Sequence, residues 1–295
     1  AADSKSRSTE VAAAYEASSG RRKVTVDGEE PSRVGEAVGL LGAVIFSPAD
    51  VAIVNEGPSM RRRFLDIVLS LNTAGYLTTL QGFKHVLAQR NAALRSEQPA
   101  SVTRAWDEPL TRSAALVMRA RFEWVAEWGA AFRGYYEAVS GGPSASMEYV
   151  PNVAVESWDE AGVDQAYREA LEAGWARDVR FRNTGVGPHK DELTLQLTER
   201  PHPKQVREFG SGGQRRTAAL ALRLVEGDCI RRARGTEPIL LLDDAFAELD
   251  EERRDRVVGL MDSDRFGQVI LTAPKESDVP RQGDGLSRWG IRAGR

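Results

Sequence analysis

The spacing of apolar residues predicts extended structure at the start of the chain. The stretch 21–34 predicts three parts in succession: a strand, a turn at Asp27 and Gly28, and a further extended piece. Ala43–Phe46 forms a short continuous apolar run, which predicts a buried strand. Ser47 and Pro48 follow directly and favour the start of a helical turn.

From about residue 59 the apolar spacing becomes helical. Residues 59–140 predict two or three helices with an arginine-rich surface, and the breakers at 140–145 end them. A strand within 146–155 and a helix over 158–179 come next. From about residue 181 strands and helices alternate, as in an α/β layer.

Two regions of extended and α/β character therefore enclose a helical insertion. We expect this insertion to form a helical arm over roughly residues 59–140. The fold class predicted on this basis is α/β.

Composition narrows the functional classes only a little. The 295 residues are 41% hydrophobic and 28% charged with a net charge of -3, so no overall basic field indicates nucleic acid, although a local basic patch could. A single cysteine excludes an internal disulfide. No apolar run approaches the roughly 18 residues that span a bilayer, and we expect a cytoplasmic protein without membrane contacts.

Paired carboxylates at residues 243 and 244 are the strongest chemical signal. They follow the apolar run 239–242, which is typical of a parallel strand buried on both faces. Ligands of open α/β sheets bind at the carboxyl ends of such strands. Asp243 is therefore a candidate for Mg²⁺ beside nucleotide phosphates, and Asp244 a candidate for orienting or deprotonating a water. The alternative is that both are solvated loop residues.

A second signal is the stretch 210–213, Gly-Ser-Gly-Gly, at the start of a helix. Glycine lets backbone N–H groups approach a ligand, and a helix N-terminus carries partial positive charge, so this stretch suits a phosphate. The alternative is a glycine-rich loop that only begins a helix. Downstream, Asp250 is placed to cap the helix 251–261. The stretch 267–273, GQVILTA, predicts another strand that ends near the same edge of the sheet.

The order and spacing of these signals resemble the ATP-binding-cassette ATPases, and more closely the RecF family of DNA repair and replication proteins. The resemblance covers most of the chain. It implies an ATP-binding-cassette-type ATPase head made of residues 1–58 and 176–295, with residues 59–175 inserted as a helical arm, or lid. The stretches that carry the resemblance are VIFSPADVAIVNEGPSMRRRFLD, YLTTLQGFKHVLAQRNAALR, GVGPHKDELTL, FGSGGQRRTAALALRL and LLLDDAFAELDEERR.

The resemblance implies roles for individual residues. Asp243 would be the Mg²⁺-associated Walker B acid and Asp244 the water-activating carboxylate, at a position where many cassette ATPases have Glu. The signature loop would contact the γ-phosphate of ATP held by the opposite subunit, and it consists of Ser211, Gly212, Gly213 and Gln214. Asp250 would belong to the D-loop, and Ser47 lies where relatives have the Q-loop.

One expected part of a cassette ATPase does not occur in this sequence. A P-loop needs the pattern G-x-x-x-x-G-K-[ST], and the 295 residues contain no Gly-Lys pair. In the family this loop lies near the N-terminus, ahead of the region that residues 4–9 match. We expect the family to bind ATP and Mg²⁺ and to hydrolyse ATP slowly, and this chain alone to be inactive or to bind ATP poorly.

Two stretches of the sequence contain cations that are candidate DNA contacts. Arg61, Arg62 and Arg63 begin the arm, and Lys190 lies in GPHKDEL. The alternatives are a solvated helical face and, for Arg61 to Arg63, ion pairs with Asp66 or a neighbouring acid that hold the arm against the head. His189 is expected to be a packed or hydrogen-bonded loop residue, because a lone His is a poor metal site.

The function that the resemblance implies is ATP-dependent dimerisation on DNA at single-strand gaps, together with RecR and RecO. This would serve recombinational repair, replication restart and SOS induction. The alternative is a fragment that binds DNA or RecR without nucleotide. A transporter subunit would be expected to have a switch His where the sequence has Ala273, and a chromosome-organising SMC-like ATPase would need far longer coiled coils.

Overall fold

The computed structural model describes residues 9–31, 41–198, 202–246, 249–261, 266–275 and 287–290. Within these ranges the chain is a mixed α/β protein. A parallel sheet, an antiparallel sheet and an N-terminal hairpin accompany a set of long helices.

The N-terminal hairpin contains one predicted strand and one that was missed. Strand β1 (Val11–Glu16) pairs antiparallel with β2 (Arg21–Val26). The predicted turn after β2 is confirmed, since Asp27 and Gly28 have φ angles of 51° and 84°. Of the extended piece predicted after this turn, residues 32–34 lie outside the described residues. The alanine-rich β1 has a weak strand pattern, which explains the miss.

The parallel sheet consists of β3 (Ala43–Phe46), β7 (Ile239–Asp243) and β8 (Gln268–Thr272), with β7 in the centre. All three strands had been predicted. Helix α8 (Gly212–Arg234) packs against one face, where Val44 and Leu242 are buried.

The prediction that β7 is buried on both faces is wrong. On the face opposite α8, Ile45 of β3 is 54% exposed and Ile270 of β8 is 45% exposed, and Leu241 between them is only partly buried. The continuous apolar run therefore supports a sheet that is covered on one side in the described part of the chain.

The helical stretch after β3 begins with a short 3₁₀ turn. The helices that follow are α1 (Ala52–Asn55), α2 (Pro58–Asn72), α3 (Tyr76–Arg95), α4 (Ala100–Arg104) and α5 (Asp107–Ser140). The predicted helical character of 59–140 is confirmed, with a finer division than the two or three helices expected. Gly141, at φ 58°, ends α5 in the left-handed conformation.

An antiparallel sheet follows α5. It pairs β4 (Ala145–Val150) with β5 (Glu192–Leu197) and β5 with β6 (Lys204–Gln205). Helix α6 (Glu160–Phe181) lies between β4 and β5 in the chain and starts at Asp159, whose Oδ1 accepts a 2.7 Å hydrogen bond from the Gly162 amide. The strand and helix predicted here are both present.

Two further helices frame the candidate site. Helix α7 (Val206–Phe209) precedes α8, and α9 (Glu251–Met261) follows Asp250. Helix α5 packs against α3, α6, α8 and α9. One hydrophobic cluster runs through all these elements. The division into an arm at 59–175 and a head stays a prediction.

No helix in the described ranges is both long enough and apolar enough to cross a membrane.

Candidate functional site

The predicted acids lie at the carboxyl end of β7, the central strand of the parallel sheet; this end of the sheet is called its edge. Asp243 is the last residue of β7, and its partner in β8 is Thr272. The Thr272 hydroxyl donates a 2.5 Å hydrogen bond to Asp243 Oδ1, and the Asp244 amide donates to the Thr272 carbonyl at 3.2 Å. Asp243 is exposed and Asp244 partly buried. Two carboxylates therefore stand at the solvent-facing carboxyl end of the sheet.

The backbone turns sharply directly after the strand. Asp244 has a φ angle of 49°, a left-handed conformation that few residues other than glycine adopt. Helix α8 holds this turn through Arg216. Its Nε donates to the Ala245 carbonyl at 3.2 Å, and its Nη2 donates to the Asp244 carbonyl. The position of the second acid is thus tied to the helix that starts at Ser211.

The signature residues form the N-terminus of α8. Ser211 is the N-cap: its Oγ accepts from the Gln214 amide at 3.2 Å, and Gln214 Oε1 accepts from the Ser211 amide at 2.8 Å. This reciprocal pair is a capping box. Gly212 and Gly213 fill the first turn, whose amides have no partner within a helix. The structure thus shows the helix start that both alternatives required.

Ser47 directly follows β3, the strand next to β7. It follows Phe46, the register partner of Leu242, and so lies at the same edge as Asp243. Its amide donates to Asp50 Oδ2 at 2.7 Å. Arg223 of α8 donates to the other Asp50 oxygen at 2.6 Å, which fixes this turn against α8.

Asp250 caps α9. Its Oδ1 accepts from the Arg253 amide at 2.8 Å, and its Oδ2 lies 3.4 Å from Arg253 Nη1. This is the capping role that the sequence allowed. The D-loop assignment of Asp250 stays a prediction.

Arg61 lies in the interior, although it had been a candidate DNA contact. It is 4% exposed, and its guanidinium binds both Glu192 oxygens at 2.8 Å. Its Nη1 also donates to carbonyls of Ile53, Val54 and Glu56. The alternative given for this arginine was an ion pair with Asp66 or a neighbouring acid that holds the arm against the head. An ion pair is present, but its acid is Glu192, and we withdraw Arg61 as a DNA contact.

The remaining candidate cations differ in exposure. Arg62 is partly buried and donates to the Asp191 carbonyl at 2.7 Å, and burial lowers its pKa, as does the nearby Arg121. Arg63 and Lys190 are exposed. The residue after Lys190 holds this loop in place. Asp191 is fully buried, and its carboxylate accepts hydrogen bonds from the Tyr149 hydroxyl and, at 2.7 Å, from the Asn152 backbone amide.

His189 is a hydrogen-bonded loop residue, as expected. Its Nε2 is 3.0 Å from the Thr184 carbonyl, so this nitrogen carries the proton and donates. Burial is the main cause that lowers the His189 pKa from 6.5.

Arg216 is the site residue that the sequence analysis missed. A signal for it was present, because helical spacing places residue 216 in the same stripe as Leu220 and Leu224, both of which are buried. An arginine in an apolar stripe indicates a buried polar partner.

Oxygen donors at this edge fit Mg²⁺ bound together with a nucleotide. No group of three or more His, Cys, Asp or Glu side chains in the described ranges could hold a metal. Mg²⁺ commonly binds proteins through one or two carboxylates and takes its other ligands from phosphates and water. The exposed carboxylate of Asp243 meets that requirement without a complete protein cage.

The parallel sheet, the acids at its edge and the glycine-started helix beside it define the class. The protein has the α/β fold of an ATP-binding-cassette-type ATPase head.

Comparisons with known proteins agree with this class and narrow it. No family model matches the chain. The DNA replication and repair protein RecF of Gloeobacter violaceus is 36% identical over 258 residues, which cover 85% of this chain and 68% of that protein. RecF of Trichlorobacter lovleyi is 33% identical, with 85% and 66% covered.

Solved structures show the same likeness. The recombination mediator protein RecF-ATPrS of the RecFOR pathway superposes with a TM-score of 0.78 at 27% identity, covering 94% of this chain and 73% of that one. The RecF-ATP structure gives 0.78 at 26% identity, covering 91% and 71%. The chain belongs to the RecF family of DNA replication and repair proteins. It spans about two thirds of the length of these curated relatives.

Proposed function

We propose that the protein is a RecF-like recombination mediator. It dimerises with bound ATP, holds DNA at single-strand gaps and hydrolyses ATP slowly, in recombinational repair, replication restart and SOS induction. Its similarity to RecF proteins named for replication and repair, and to RecF structures with ATP or ATPrS, supports this proposal.

One observation carries the nucleotide part. Asp243 and Asp244 stand at the sheet edge on a turn that α8, the helix of the signature loop, holds by two hydrogen bonds. Asp243 would hold Mg²⁺, which supplies charge neutralisation at the phosphates, and Asp244 would orient and deprotonate the attacking water. The Gly212 and Gly213 amides and Ser211 would contact the γ-phosphate bound by a second copy, with Gln214, Asp250 and Ser47 beside the nucleotide.

DNA would be held by exposed cations. Arg63 and Lys190 have exposed side chains, and Arg62 is partly exposed, so these three are the proposed phosphate contacts. RecR and RecO are the proposed protein partners, and a role on chromosomal DNA implies the cytoplasm.

A nucleotide-binding experiment tests the proposal. The 295-residue chain and a chain extended at its N-terminus by a family P-loop segment are compared for Mg-ATP binding and for dimerisation by light scattering. We expect the extended chain to bind ATP and dimerise. Asp243→Asn should abolish the ATP-dependent dimer, and Asp255→Asn, at an exposed acid of α9, should keep it. An extended Asp243→Asn protein that dimerises like its parent contradicts the Walker B assignment.

The second candidate function is nucleotide-independent binding of DNA or RecR. The exposed cations Arg63 and Lys190 support it, because phosphate contacts of this kind need no nucleotide. It predicts equal affinity for gapped DNA with and without ATP, in both the short and the extended protein.

A further inference from the structure

We propose that Arg216 is a positioning residue for the carboxylate loop, defined here as residues 243–246. Its part in ATP hydrolysis rests on the proposed function, whereas its effect on the loop does not. The guanidinium donates from Nε to the Ala245 carbonyl at 3.2 Å and from Nη2 to the Asp244 carbonyl. Two consecutive carbonyls of the loop thus bind one side chain.

The shape of the guanidinium suits this task. Arginine presents its donors in a rigid planar fork, so two acceptors fix both the position and the orientation of the group. The loop needs such a constraint, because Asp244 has a φ of 49° and a non-glycine residue in this region is strained. The Thr272 carbonyl, which accepts from the Asp244 amide at 3.2 Å, holds the other side of the turn.

The surroundings of Arg216 keep its side chain in one place. It is 4% exposed, and its guanidinium carbon lies 5.6 Å from the centre of the Phe46 ring. A cation this close to an aromatic face is attracted to it. Since Phe46 belongs to β3, the arginine contacts both the strand next to β7 and the turn that follows β7.

The position of Arg216 in α8 has a consequence for the signature loop. Ser211 caps the helix five residues earlier, about one and a half turns away. A helix moves as a rigid body over this distance, so a displacement at Ser211 reaches the Asp244 carbonyl through Arg216. In an ATP-bound dimer the signature loop would act on one nucleotide and Asp244 on the other, and Arg216 would link these two sites.

Arg215 provides a matched control. It is the neighbouring arginine of the same helix, and its Nε donates to the Gly210 carbonyl at 2.9 Å instead of to the carboxylate loop. Arg215→Ala removes the same charge and the same number of side-chain atoms as Arg216→Ala.

Hydrogen–deuterium exchange without nucleotide tests the positioning directly. Arg216→Ala should raise exchange of the amides at 244–246 about tenfold, whereas exchange of α8 and the effect of Arg215→Ala at the loop should stay within about twofold. Parent-like exchange at 244–246 overturns the proposal. Should Arg216→Ala fail to fold, Arg216→Lys decides: faster exchange confined to the loop supports it, and parent-like or helix-wide exchange overturns it.

Kinetics of the P-loop-extended protein test the consequence for catalysis. Arg216→Ala should lower kcat about tenfold to a hundredfold, because the water-activating carboxylate is misplaced, with KM for ATP within about twofold. Parent-like kcat overturns the catalytic consequence. Absence of hydrolysis in the unsubstituted extended protein refutes the proposed ATPase activity instead, and the exchange experiment still decides the role of Arg216.

Discussion

The start of α2 and the start of α8 both carry consecutive arginines, and each directs one of them into the interior. In α2, Arg61 is buried against Glu192 and three carbonyls, whereas Arg63 is exposed. In α8, Arg216 is buried against the carboxylate loop, whereas Arg215 is partly exposed. In each run, therefore, one arginine binds partners in the interior, and another keeps at least part of its side chain at the surface.

Helix geometry explains the difference. Successive residues of an α-helix point about 100° apart, so adjacent arginines cannot occupy the same face. The run Arg61 to Arg63 therefore changes from buried through partly buried to exposed. A cluster of basic residues in sequence thus overstates the charge that a helix offers to DNA.

The largest expected effect is on the free energy of unfolding, which should depend on the buried arginine and not on the exposed one. Arg61→Ala removes the guanidinium that donates to both Glu192 oxygens and to three carbonyls, and we expect a loss of about 3 kcal/mol in the free energy of unfolding. Arg63→Ala should change it by less than about 0.5 kcal/mol. Urea unfolding followed by circular dichroism measures both, and equal losses would refute the distinction.

DNA binding should show the opposite order. Each phosphate contact contributes about one unit to the salt dependence of the binding constant, so Arg63→Ala and Lys190→Ala should each lower the slope by about one. Arg61→Lys, which keeps the charge in the interior, should leave the slope unchanged. Fluorescence anisotropy with gapped DNA at several salt concentrations provides the slopes. A slope that Arg63→Ala does not alter would remove Arg63 from the DNA surface.

The smallest expected effect concerns two neighbouring residues of a loop. His189 is partly buried, whereas Lys190 is exposed. Burial is the largest cause that lowers the pKa of His189, and Lys190 and Arg62 lower it further. The hydrogen bond to the Thr184 carbonyl opposes this shift, and Asp178 opposes it to a smaller extent. The unfolded chain then binds a proton more readily. Stability is therefore fully present above pH 6.5 and is lost as the pH falls through the lowered pKa.

Unfolding at pH 7.5 and pH 5 measures this effect. His189→Gln, which can still donate to the Thr184 carbonyl, should lose less stability between the two pH values than the parent. His85→Gln is the control, because His85 is exposed. An identical pH dependence in the parent and His189→Gln would contradict the assignment.

Much of the α/β layer could be predicted because its signals are local. The apolar runs of β3, β7 and β8 and the glycine-started α8 each depend on neighbouring residues in sequence, and so does the placement of Asp243 at a strand end. The RecF resemblance also depended on such stretches.

The orientation of the arginines could not be predicted from local pattern alone. The partner of Arg61 is Glu192, 131 residues further along the chain, and that of Arg90 is Asp178, 88 residues away. Such pairs form only when distant elements pack. The uncovered face of the parallel sheet could not be predicted for the same reason. An apolar run does not reveal whether other elements cover one face of the strand or both.

The contact between α9 and α5 has a mechanical consequence. Arg256 donates to the Ser140 carbonyl at 3.1 Å, and its guanidinium covers Gly141 so closely that a Cβ there would lie 2.1 Å from it. Helix α5 has 34 residues, which makes a rod of about 50 Å. Helix α5 also packs against α3, α6 and α8, so a movement of α9 at the Asp250 cap would be transmitted through α5 to these helices.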